Sequence, residues 1–179
     1  MSDLERRAEE WIAPYWNAEH LRRSRDWALE LDRAASEAVR LAALTHDMER
    51  HFPGGPSADP SAPPDEPTYL REHSERSARI VGEWLRGESA GEELVAEVEE
   101  LVRLHEVGGT PPADIVQAAD SLSFLDVNWE VTLRWVREGR ATPAQSRAKL
   151  DWTLERMRVG RELAVPLYER AVAALEEAA

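Results

Sequence analysis

Cysteine is absent from the 179 residues, and lysine occurs once, at Lys149. Without thiols there can be no disulfides, zinc knuckles, iron–sulfur clusters or cysteine nucleophiles, so any metal site must draw on His, Asp and Glu. The lone lysine, in RAKL, excludes a GxxxxGK[ST] phosphate loop, and neither GxGxxG nor GxSxG occurs. Positive charge is scarce: 22 basic residues against 35 acidic ones leave −13 at pH 7. A field of that sign repels nucleic-acid phosphates and anionic lipid, so neither duplex nucleic acid nor a membrane surface is an expected partner. No apolar run approaches the roughly 18 residues of a spanning helix. The opening MSDLERRAEEW is too polar for a signal peptide, and a cytoplasmic location is the default expectation.

What is present reads as helix. The hydrophobic share is 42%, enough for a real core, and apolar residues recur at intervals of three and four rather than two. The pattern predicts an all-α bundle of about six or seven helices, near 3–13, 18–31, 34–50, 69–86, 91–106, 112–138 and 143–176. Ser2 with Glu5, Ser89 with Glu92 and Thr142 with Gln145 have the spacing of capping boxes. The length suits a single domain, residues 1–179, with a core of about 18–128 and C-terminal helices of about 129–176 packed on it. That C-terminal part carries no motif, and the seven tryptophans are expected mainly in the core. One segment breaks the helical pattern: HFPGGPSADPSAPPDEP, His51 to Pro67, holds six prolines and two adjacent glycines. A loop of this length leaving directly from His46-Asp47 is expected to border a site.

The histidines carry the chemistry. There are five, His20, His46, His51, His73 and His105. His105 continues the stripe Leu94, Val98, Leu101; His73 heads Ser77, Ile80, Val81 and Trp84; His20 leads Trp27 and Leu31. Each imidazole thus lies on the inward side of its helix. Asp120 shares a face with Val116, Ser123 and Val127, where a lone carboxylate is costly without a partner. One histidine on an apolar face is ordinarily a hydrogen-bonded core residue. Several neutral imidazoles and carboxylates converging on one core describe a site for Zn, Fe, Mn, Co or Ni.

His20, the pair His46-Asp47 in LAALTHDMER and Asp120 in IVQAADSLSFL resemble the H…HD…D signature of the HD-domain superfamily of metal-dependent phosphohydrolases, over about residues 18 to 128. The resemblance implies an HD-like helical bundle in which His20, His46, Asp47 and Asp120 bind one metal. In binuclear members two further histidines bind a second metal bridged by the Asp of the HD pair. His73 and His105 stand at corresponding intervals, implying one or two divalent transition metals. The HEVGG turn followed by DIVQAADSLSFLD is also similar to bacterial HD hydrolases that split dinucleoside polyphosphates. Where many members carry Lys or Glu after the HD pair, this chain has Arg50, which can grip a phosphate but cannot transfer a proton.

The expected function is therefore hydrolysis of a nucleotide or related small phosphate ester by metal-activated water, with Asp47 bridging the metals and Arg50 beside it. Arg50, Arg23 and Arg76 are the candidate substrate-binding residues, offsetting locally the acidity of the chain. Two other readings stay open. Some HD proteins with the same six ligands are di-iron oxygenases, and a non-catalytic, ligand-binding helical bundle would use the histidines as structural hydrogen-bonders. The substrate and the oligomeric state are not legible in the sequence.

Overall fold

The computed structural model describes residues 1–178. Among them are nine α-helices and no strand: α1 Asp3–Ile12, α2 Ala18–Leu31, α3 Glu37–Thr45, α4 Pro67–Gly87, α5 Glu92–Leu104, α6 Pro111–Ser123, α7 Glu130–Arg137, α8 Pro143–Glu155 and α9 Arg161–Ala178. A 3-10 turn, Met48–His51, follows α3, and a π-helical turn, Phe124–Asn128, joins α6 to α7.

Local chemistry sets the helix starts. Ser2 with Glu5 and Thr142 with Gln145 form reciprocal capping boxes on α1 and α8, and Thr110 accepts from the Ala113 amide at the head of α6, each supplying an acceptor to an otherwise unpaired amide. The third expected box does not form. Gly91 caps α5, and Ser89 lies at φ +60 where it closes α4. There the amides of Ser89 and Ala90 return to the carbonyls of Arg86 and Leu85, a Schellman ending with serine in the usual glycine position.

Three predicted helices are shorter than the periodicity suggests. The 34–50 span ends as α-helix at Thr45, so His46 is its C-cap and Asp47 stands at the turn into the 3-10 segment. The 112–138 span is divided by the π-helical turn, which Arg23 and Arg170 hold from outside through Asp126 and the carbonyls of Leu125 and Asp126. The 143–176 span breaks between α8 and α9 at Gly160, which adopts φ +66.

Buried side chains form two clusters. Leu4, Ile12, Leu21, Leu41, Leu44, Val81, Val98 and Val116 belong to the first, between α1 and α6. Leu122, Leu125, Leu150, Met157, Ala164 and Leu175 belong to the second, around the C-terminal helices. Trp27 and Leu31 of α2 pack against both. The tryptophans follow the core expectation only in part: none is fully buried, Trp11, Trp27, Trp84 and Trp129 pack half-buried against the two clusters, with Trp11 stacked on Trp84 at a centroid distance of 4.6 Å, whereas Trp135 and Trp152 belong to neither cluster and Trp16 is 70% exposed.

Candidate metal centre

Five helical segments bring six side chains to one place: His20 from α2, His46 and Asp47 from the end of α3, His73 from α4, His105 at the C-cap of α5 and Asp120 from α6. All six are buried. Nε2 of His20 and Nε2 of His46 lie 3.1 and 3.3 Å from the same Asp120 oxygen, and Nε2 of His73 lies 3.0 Å from Asp47 Oδ1. Donor atoms about 2.1 Å from a shared cation stand roughly 3.0–3.4 Å apart in octahedral or tetrahedral geometry. The pairs in contact fall in that range, and three overlapping groups gather looser sets of donors, His20, His46 and Asp120; His46, Asp47 and His105; and His73, His105 and Glu106, the ligand atoms of each lying within 4.8 Å of one another.

The outer nitrogens of the rings decide what the inner ones can do. Nδ1 of His46 and of His105 face the carbonyls of Ala43 and Val102 at 3.0 and 2.6 Å, and a carbonyl only accepts. Nδ1 of His73 faces the Glu49 carboxylate at 2.9 Å. Nδ1 of His20 meets Ser123 Oγ at 2.9 Å, and that hydroxyl spends its own proton on the His20 carbonyl. In all four rings the partners engage Nδ1 and direct Nε2 inward. Metal-ligating histidines are oriented in this way. Nε2 of His46 and of His73 are buried and sit beside carboxylate oxygens without hydrogen-bond geometry, an arrangement that fits donors arranged around a shared cation.

Neighbouring cations and contacts keep the carboxylates of the centre ionised in spite of burial. Burial opposes ionisation of Asp47, but the charge of Arg50 and the His73 contact hold it well below the usual carboxylate range. Asp120 is likewise held down against burial by Arg156, His20 and His46, and Glu106 is lowered to about 2 by Arg156 and His105. Burial disfavours the imidazolium of His46, yet Asp120 and Asp47 outweigh it and raise the pKa. For His73, burial and Arg50 are outweighed by Asp47 and Glu49. His105 goes the other way, to about 4, chiefly through burial.

A cavity of about 270 Å³ reaches the centre at His20, Asp47, Glu106 and Asp120. Its wall includes the loop from Ser57 to Glu66, Trp16 and Trp135, and Lys149 and Arg156 of the C-terminal helices. Arg50 lines it while its Nε contacts Asp47 Oδ1 at 3.0 Å. The other two arginines singled out by sequence lie elsewhere. Arg23 reaches Asp126 at 2.5 Å and covers the Trp27 ring, outside the cavity wall. Arg76 binds Glu49 Oε2 at 2.6 Å and the Pro53 carbonyl at 2.7 Å, so its guanidinium braces the carboxylate behind His73. Gly55 lets the loop close over that pair, since a Cβ there would collide with Glu49 and Arg76. His51 is exposed and belongs to none of the three groups.

The sequence reading missed four contributors. Glu49 and Glu106 lie next to recognised residues in chain order, but nothing local marks them as inward-facing. Arg156, at the end of α8, reaches Asp120 Oδ2 at 2.5 Å and also pairs with Glu106. Lys149 stands on the same helix. The C-terminal helices therefore build part of the site instead of only covering it. Comparison with known protein families, with curated proteins and with solved structures finds no match to this chain.

Proposed function

We propose that this protein is a metal-dependent phosphohydrolase of the HD type, acting on a small phosphate ester. One observation carries the reading: four buried imidazoles, each with Nδ1 engaged from behind, aim Nε2 at two buried carboxylates in the order H…HD…H…H…D. His20, His46 and Asp120 would hold one divalent cation, and His73 and His105 a second, with Asp47 between them and Glu106 within reach of the second. Bound cations would supply Lewis acidity and offset phosphate charge at neutral pH.

The chain's own residues account for the rest. Arg50 keeps Asp47 ionised and presents its planar fork to the cavity, a geometry suited to a phosphoryl group. Arg156 ties Asp120 to Glu106 and holds both carboxylates in place. Tyr69 stacks on the His73 ring at 5.9 Å and fixes its plane. The Ser57–Glu66 loop and Trp16 wall the cavity from solvent. Arg156, at the end of α8, brings the C-terminal part of the chain into the site.

The test is turnover by untagged protein reconstituted in turn with Mn, Co, Fe and Mg, with phosphate release and dioxygen uptake followed together on a panel of phosphate esters. Phosphate release that needs metal is the expected result. Dioxygen uptake without phosphate release would assign the same ligands to an oxygenase, and inactivity in both assays with no bound metal would leave a structural bundle.

A further inference from the structure

Lys149 is the only lysine in the chain and lines the cavity beside the metal centre. The two other cations of that wall are committed: Arg50 to Asp47, Arg156 to Asp120 and Glu106. Among the described residues no carboxylate forms an ion pair with Lys149. Its ammonium rests instead on two aromatic faces, 5.2 Å from the Phe124 centroid and 4.4 Å from that of Trp152. Aromatic faces steady a cation without neutralising it.

The surroundings of the amine make this costly. Burial and the nearby Arg156 lower its pKa to about 8, while Glu106 and Asp120 are too distant to pair with it and only oppose the shift. Gln145, Lys149, Trp152 and Arg156 recur at steps of four, three and four, which places them along one face of α8. Gln145 donates to the Ser61 carbonyl at 2.8 Å and moors the proline-rich loop to that face. The face thus carries a loop anchor, a free cation and the arginine that braces the carboxylates, in sequence toward the centre.

We propose that Lys149 is a receptor for an oxyanion of the ligand other than the phosphoryl group held at the metals, so that the cavity selects ligands with more than one phosphoryl group. The proposal rests on the phosphohydrolase reading for the identity of the first group. The anion contact itself requires only the cavity and the amine.

Binding of orthophosphate, pyrophosphate and tripolyphosphate is measured by calorimetry on metal-loaded and on chelator-stripped protein, for the parent, Lys149→Met and Lys149→Arg. Methionine keeps the stem packed on Phe124 and Trp152, and circular dichroism checks the fold. A charge-assisted contact is worth roughly tenfold or more in affinity. Lys149→Met should lose that factor for pyrophosphate and tripolyphosphate, change little for orthophosphate on loaded protein, keep its metal content, and be rescued by Lys149→Arg. Parental affinity of Lys149→Met for the longer phosphates, in both loaded and stripped protein, overturns the proposal. So does a uniform loss accompanied by loss of metal. A parent that takes up no metal but whose tripolyphosphate binding still depends on Lys149 would overturn the metal reading and leave the anion receptor standing.

Discussion

Glu49 accepts a hydrogen bond from Nδ1 of His73 at 2.9 Å and is itself gripped by Arg76 at 2.6 Å. A carboxylate behind an imidazole fixes its tautomer and raises the basicity of the opposite nitrogen, and losing such a partner typically costs ten- to a hundredfold in metal affinity. Glu49→Gln should therefore weaken occupancy of the His73 side by about that factor and leave the His20 side filled. Competitive chelator titration resolves the two steps.

Arg76 and Arg50 should separate cleanly. Arg76→Ala releases Glu49 and should lower metal affinity, with KM following only as metal is lost. Arg50→Ala should raise KM at saturating metal and leave metal content near the parent value, because bound cations would themselves supply the charge that Arg50 gives Asp47, whereas the phosphoryl contact has no substitute. Steady-state kinetics with metal analysis on the same preparations distinguish them.

Metal affinity should rise with pH. His46 and His73 have raised pKa values in the metal-free centre because neighbouring carboxylates favour their charged forms. A bound cation must displace those protons. His105, lowered to about 4, is already neutral. Affinity should accordingly be lowest in acid and climb as pH passes through and above the ordinary imidazole value of about 6.5, with proton release on binding. Calorimetry in buffers of different ionisation enthalpy measures that release, and none at neutral pH would count against the assignment.

Arg156→Met should be among the most damaging single changes outside the six converging side chains. It strips a buried counterion from Asp120 and Glu106 together, and breaking a buried pair by removing one partner costs about 3–5 kcal/mol. Added divalent metal should restore part of that loss by supplying charge at the same carboxylates. Chemical denaturation with and without metal gives both numbers.

The sequence was most legible where chemistry follows chain order. Imidazoles heading or ending apolar stripes on successive helices, with an HD pair at the end of one, were enough to point to the residues that converge. It was least legible where partners are remote. Glu49 reaches His73 across 24 residues and Arg156 reaches Asp120 across 36, and no local pattern announces either. Periodicity also ran through the π-helical turn at Phe124–Asn128, because no glycine or proline interrupts that segment and its geometry is imposed by Arg23, Arg170 and the Ser123–His20 contact. The break before α9 did have a sign, Gly160, which closes against Leu31. Arg23 and Arg76 lie one helical turn from His20 and His73 along the chain, but their guanidinium groups are used by Asp126 and Glu49.

The central claim is that the six converging side chains are a metal centre. Its most direct measurement is elemental analysis of untagged protein, before and after dialysis against divalent metals, beside an Asp47→Asn variant whose fold is checked by circular dichroism. The expected result is close to two metal ions per chain for the parent and a clear deficit for the variant, since Asp47 is the carboxylate between the two histidine sets. A correctly folded parent that retains no Mn, Fe, Co, Ni or Zn under any of these conditions would contradict the account.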